Sequence, residues 1–251
     1  MGYFIKNTDD GNFLVDSGDI IGSVIISTNG WEPSIEEVYK SLIKPEYLTI
    51  NIGANMGYHT IKLASISRKV IAFEPQIKMF NQLCSNIYLN NMNDKIDAHH
   101  LALGDKQEKA RMSSLEGNPN SVCGDLSNLG GVDIPENGNG EEINISTLDS
   151  FDLNPDFILI DVERFEGKVI KGSEITINKN KPTLLIEIWT SDANERFFQL
   201  KYLGYEIYGK DPLGANYIAL HPEFKDYEEQ KEILKSLSFF EYSFSYHKRY
   251  I

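Results

Sequence analysis

Three places in this chain carry residue types and spacings that could do chemistry. The first is Asn51-Ile52-Gly53-Ala54-Asn55-Met56-Gly57, a glycine-bearing loop that grows out of the apolar run Leu48 to Ile52. The second is Glu74-Pro75, 21 residues beyond Gly53. The third is a set of carboxylates, Asp161, Glu163, Glu166 and Glu187, in or just after two later apolar runs. A glycine loop between a strand and a helix lets the backbone approach a ligand and points helix N-terminal N–H groups at it. An acid at the end of the next strand can accept both hydroxyls of a ribose.

The loop alone does not choose the ligand. The dinucleotide fingerprint would need glycines at 53, 55 and 58, but Asn55 and Tyr58 stand there, so a pyrophosphate is disfavoured. S-adenosylmethionine suits the pattern instead, with its amino-acid end at the loop and its ribose on Glu74. The expected cofactor-binding residues are Asn51, Gly53, Ala54, Asn55, Gly57, Tyr58, Thr60, Glu74, Pro75, Leu103 and Asp161.

Methyl transfer from that cofactor is a displacement at a carbon bonded to a sulfonium, so the protein must hold an acceptor in line and manage its proton. A base belongs at the carboxyl end of the fourth strand, where Asp161 and Glu163 alternate onto one face. Asp161, Glu163 and Glu187 are the catalytic candidates. Asp161 is expected nearest the sulfonium and acceptor, and Glu163, Glu166 or Glu187 is expected to orient the acceptor. No spaced ligand motif accompanies these acids, and no metal is expected. His59 is read as a structural or cofactor-lining residue, and His99 and His100 as packing and surface in the third strand. Asn154-Pro155-Asp156-Phe157 resembles a signature of amino-group methyltransferases, yet it precedes the strand it should follow. It is read as a turn, and a hydroxyl acceptor is expected over an amine.

These residues need elements to position them. Short apolar runs and turn signals over residues 1–45 suggest a β-rich N-terminal segment of hairpins, followed by a helix from Ser34 towards Leu42. From residue 46 to 222, strands at Leu48 to Ile52, Val70 to Phe73, Ile96 to Leu103, Phe157 to Val162 and Thr183 to Ile188 alternate with helical stretches. That rhythm predicts an α/β, Rossmann-like fold with a mostly parallel seven-stranded sheet. A closing hairpin, Tyr205 to Tyr208 and Tyr217 to Leu220 around Asp211-Pro212-Leu213-Gly214, would make the last strand antiparallel. Residues 116–141, rich in Gly, Asn and Pro, read as a substrate loop, and 223–251 as a helical tail with an aromatic stripe. That stripe, Phe239, Phe240, Tyr242, Phe244 and Tyr246, would pack on the domain or form a subunit contact.

Together Trp31-Glu32-Pro33, NIGANMGYHT (51–60), AFEP (72–75), ALGD (102–105), STLDSF (146–151), LIDVERFEGKVIKG (159–172) and IEI (186–188) resemble the FkbM family of methyltransferases. The resemblance spans roughly residues 20–222. It implies a Rossmann-like methyltransferase fold, S-adenosylmethionine as donor, and a hydroxyl acceptor, commonly on a sugar or another natural product. Two positions depart from the family pattern. Asn51 replaces an Asp and lacks the charge to attract the methionine ammonium, so weaker cofactor binding is expected. Arg164 replaces a Gly and adds a cation beside the reaction centre, in reach of Glu163 or of an anionic or polyhydroxylated substrate.

The net charge of -13 would repel a phosphate backbone, so nucleic acid is not an expected partner. The lysines between 168 and 181 read as a solvated face. Cys84 and Cys123 are too few for a disulfide framework and read as reduced thiols, which suggests a cytoplasmic setting, and no stretch is long enough to insert in a membrane. The expected function is O-methyl transfer to a sugar or small-molecule hydroxyl. A non-catalytic S-adenosylmethionine-binding protein is the alternative, and an NAD-dependent oxidoreductase ranks third.

Overall fold

The computed structural model describes residues 2–9, 11–114, 122–123, 126–210 and 215–242. The chain opens with β1 (Tyr3–Thr8), β2 (Gly11–Asp16), α1 (Ile20–Thr28) and α2 (Pro33–Leu42). Then come β3 (Leu48–Ile52), α3 (Tyr58–Ile66), β4 (Lys69–Phe73), α4 (Ile77–Leu89) and β5 (Ile96–His99). Short strands follow: β6 (Ala102–Leu103), β7 (Glu108–Arg111), β8 (Val122–Cys123), β9 (Leu126–Ser127) and β10 (Glu142–Ser146). The second half holds β11 (Phe157–Ile160), α5 (Glu166–Lys171), α6 (Glu174–Asn180), β12 (Thr183–Glu187) and α7 (Ala193–Tyr202). It closes with β13 (Glu206–Gly209), β14 (Asn216–Leu220), α8 (Tyr227–Ser236) and β15 (Phe240–Glu241).

The main sheet runs β15-β13-β14-β12-β11-β3-β4-β5. Its five central and edge strands β12, β11, β3, β4 and β5 are parallel, while β14 lies antiparallel to both β12 and β13. This is the Rossmann-like methyltransferase arrangement, with β15 added as an eighth strand. Alternate side chains reach opposite faces. Phe157 and Leu159 join one core with Tyr39, Ile61, Leu83 and Leu234, and Ile158 and Ile160 join another with Val169, Phe197 and Leu200. Helices cover both faces, which is why the central strands are apolar throughout rather than alternating.

The chain leaves β3 towards β5 on one side and returns to β11 on the other. The carboxyl ends of β3 and β11 therefore flank a topological switch point, where open α/β sheets bind ligands.

The expectation of hairpins throughout the N-terminal segment is corrected. Among the described residues of this segment only β1 and β2 pair as strands, and Asp19 starts helix α1 by accepting the Gly22 N–H on its side chain. Asn29 ends that helix in the left-handed conformation, so turn-forming residues here are helix caps. The hairpin is held by amides at helical spacing on α4 and at its C-cap. Gln82 donates to the Leu14 carbonyl, Asn86 accepts the Leu14 N–H, and Asn90 accepts the Asn12 N–H. The expected strand Ile96 to Leu103 is also corrected: it breaks after His99, and β6 pairs with β10 in a separate three-stranded sheet. Parts of the 116–141 segment, the Asp211 to Gly214 turn, and Phe244 and Tyr246 of the aromatic stripe lie outside the described residues. Among the described residues no helix is long and apolar enough to cross a membrane.

Candidate active site

One cleft opens at the switch point, and two groups of polar residues line it. Glu74 and Gln76 come from the end of β4, on one side of β3. Asp161 and Glu163 follow β11, and Glu187 ends β12, on the other side. The parallel register sets this separation, because every strand end it involves points the same way.

At the loop, the backbone N–H groups are committed internally. Gly53 and Ala54 donate to the Phe73 carbonyl, Asn55 to Glu74 Oε2, Met56 to the Asn55 side chain and Gly57 to the Ala54 carbonyl. A diphosphate cradle needs such amides free to meet phosphate oxygens. The loop is thus poorly suited to a dinucleotide, in agreement with its missing glycines. Helix α3 has no side-chain cap, which leaves its N-terminal end able to face a carboxylate.

Glu74 is buried and takes one N–H on each oxygen, from Asn55 and Gln76, both at 2.8 Å. A carboxylate offers about four acceptor positions, so each oxygen keeps room for one ribose hydroxyl. Burial raises its pKa to about 7 in spite of those two donors. Hydroxyl donors from a ligand would favour the charged form.

The opposite side is a cluster of acids. Asp161 faces the open cleft and is crowded by protein elsewhere, and it shares a hydrogen bond with Glu187. Burial, then the Asp161 charge and that bond, hold Glu187 protonated up to about 9. Burial raises Asp161 as well, while the bond from Glu187 opposes the rise. The pair is best described as two carboxyl groups holding one proton and one charge. Glu163 is pushed up to about 7 by burial and by its neighbours Asp161 and Glu166. Among the described residues no group of three or more candidate ligands is arranged to hold a metal ion.

The turn carrying Glu163 is strained. Glu163 and Arg164 have φ of 49° and 70°, both left-handed. Such residues cost about 1–3 kcal/mol each and are found where function holds the backbone. Glu166, considered from sequence as an acceptor-orienting group, supports this turn instead. It is buried, lies outside the cleft wall and accepts the Arg164 N–H at 2.9 Å.

The remaining expected residues divide between wall and support. Asn55, Pro75 and Leu103 line the main cleft, and Ala54, Tyr58 and Asn51 line a recess beside it. Gly53 borders both. Thr60 and Gly57 border neither. Thr60 accepts the Asn51 side-chain N–H at 2.8 Å, and Gly57 packs on Leu83. The Asn51 side-chain oxygen, Oδ1, is buried without a partner among the described residues.

Sequence reasoning gave no site role to Trp31, Glu32, Gln76 or Trp189, which also line the cleft. Pro33 at the first turn of α2 fixes the approach of Trp31 and Glu32, and Glu32 sits at φ 47° before it. Its Oε2 lies 3.0 Å from His59 Nε2, and Tyr39 Oη lies 3.3 Å from His59 Nδ1. His59 is thereby held between the N-terminal segment and the cleft. The Trp-Glu-Pro triplet was a detectable signal for Glu32, since the proline marks a helix start.

Two solved structures illustrate the fold. A methyltransferase FkbM from Methylobacillus flagellatus KT matches with a TM-score of 0.51 at 18% identity, over 70% of this chain and 44% of that one. Trm5b from Pyrococcus abyssi matches with a TM-score of 0.51 at 11% identity, over 86% of this chain and 54% of that one. The chain thus spans about half the length of these structures. No curated protein matches it. The model of the methyltransferase FkbM domain matches residues 51–238, more than half of the sequence, and the chain belongs to that family.

Proposed function

We propose that the chain transfers a methyl group from S-adenosylmethionine to a hydroxyl of a sugar or another small polyhydroxylated molecule. The observation that carries this reading is the split cleft, with Glu74 at the β4 end and the Asp161–Glu187 pair at the β11 and β12 ends. When bound, the cofactor supplies a methyl carbon made electrophilic by its sulfonium. Glu74 would hold the ribose, and Asn51, the loop and the start of α3 would surround the amino-acid end.

The acid pair serves the acceptor. With the pair's charge assigned to Asp161, that carboxylate would accept the hydroxyl proton as the oxygen forms its bond to carbon and the carbon–sulfur bond breaks. The proton kept on Glu187 fixes that carboxylate by a hydrogen bond and prevents two adjacent charges. Glu163, near neutrality in its protonation, would orient the acceptor. Trp31 and the half-exposed ring of Trp189 supply flat apolar surface for the face of a sugar.

Incubation with labelled donor and a panel of glycosides, read by mass spectrometry, tests the reading. Label is expected on an acceptor oxygen. Transfer only to amine acceptors would overturn the hydroxyl assignment.

A further inference from the structure

We infer that Gln76 reads the amino group of the cofactor's adenine. The inference rests on the S-adenosylmethionine reading of the cleft and adds to it the residue that selects the base. Gln76 precedes α4, two residues beyond Glu74, and its backbone N–H is already bound to the Glu74 carboxylate. Its side chain is buried in the cleft wall, and its Nε2 donates to the Leu129 carbonyl at 3.0 Å. The Oε1 is buried and has no partner among the described residues.

The amide cannot turn over to satisfy that oxygen. A backbone carbonyl only accepts, so the nitrogen must face Leu129 and the oxygen must face away. Leu129 is itself fixed from behind, because its N–H donates to the buried carboxylate of Asp19 at 3.0 Å. The acceptor is therefore preorganised, and in a cleft wall a buried unpaired acceptor is open to a donor from a ligand.

The ligand's chemistry supplies one. With its ribose on Glu74, the base belongs at the same end of the cleft, among Met79, Leu101 and Leu103, which suit a flat ring. The exocyclic amino group of adenine donates a hydrogen bond there. Hypoxanthine carries a carbonyl at that position and would set two acceptors against each other, so the chain should discriminate between the two bases.

Calorimetric titration with S-adenosylhomocysteine and S-inosylhomocysteine tests the assignment. The wild-type chain is expected to bind the adenosyl compound about tenfold or more tightly than the inosyl one, since a site with a fixed polar group rejects a mismatched partner strongly. In Gln76→Met the ratio should fall to within about threefold. Asp19→Ala, which loosens Leu129 but leaves the Gln76 oxygen, should lower the ratio less than Gln76→Met does. Equal binding of both compounds by the wild type overturns the proposal whatever the variants do. So does an unchanged ratio in Gln76→Met, or an equal collapse in Asp19→Ala, which would make Gln76 only a tether for Leu129. A wild-type chain that binds neither compound overturns the cofactor reading itself.

Discussion

A Cβ added at Gly53 would lie 1.7 Å from the carbonyl oxygen of Asp161. The loop after β3 and the end of β11 meet at this contact, and the Asp161 N–H also donates to the Ile52 carbonyl at 3.0 Å. Gly53 adopts φ 84°, so its lack of a side chain serves both the conformation and the approach of the residue proposed as the base.

Gly53→Ala is expected to destabilise the fold by about 2–4 kcal/mol, from left-handed strain and overpacking together. Thermal unfolding should fall by roughly 5–15 °C. An unchanged midpoint would show that the two strand ends separate freely.

Asp161→Asn should lower the rate of methyl transfer by about 10²–10⁴-fold while leaving S-adenosylhomocysteine binding nearly intact. Glu187→Gln should retain much more activity, because an amide replaces a carboxyl group that is already protonated near neutral pH. Paired rate and calorimetric measurements check both. Equal losses in the two variants would count against separate roles.

Stability should decline with alkaline pH. The folded chain holds a proton on Glu187 up to about 9, and an unfolded chain releases it near the ordinary value of 4.5. This contribution is fully present below pH 4.5 and is lost as pH rises through 9. Glu74 and Glu163 act in the same sense up to about 7. Burial depresses His99 and His221 and works in the opposite sense around their ordinary value of 6.5, so the clearest window is pH 7 to 9. Thermal midpoints should fall across it in the wild type and fall less in Glu187→Gln.

Arg164→Gly should stabilise the fold by about 0.5–1 kcal/mol, because glycine accepts the left-handed conformation although it loses more backbone entropy. The thermal midpoint should rise by roughly 1–4 °C. A lower midpoint would mean that the arginine side chain contributes more than its backbone costs.

The central sheet was legible because its strands are apolar runs of four or five residues separated by helices. The N-terminal helix was not, since Ser17-Gly18-Asp19 and Asn29-Gly30 cap a helix as readily as they turn a hairpin, and only packing of Ile25 in the core decides. The positions of Asp161 and Glu74 were readable from their strand ends. Gln76 was not, because its significance lies in contacts with Leu129, 53 residues away. Glu166 likewise looks like a cleft acid in sequence, and only the left-handed turn at Arg164 draws it inward.

Calorimetric titration of the wild-type chain and of Glu74→Ala with S-adenosylhomocysteine addresses the central claim most directly. One equivalent should bind the wild type, and the variant should lose at least about tenfold in affinity with the charge-assisted bonds to the ribose. Absence of binding to the wild type, or equal binding to both, would contradict the account.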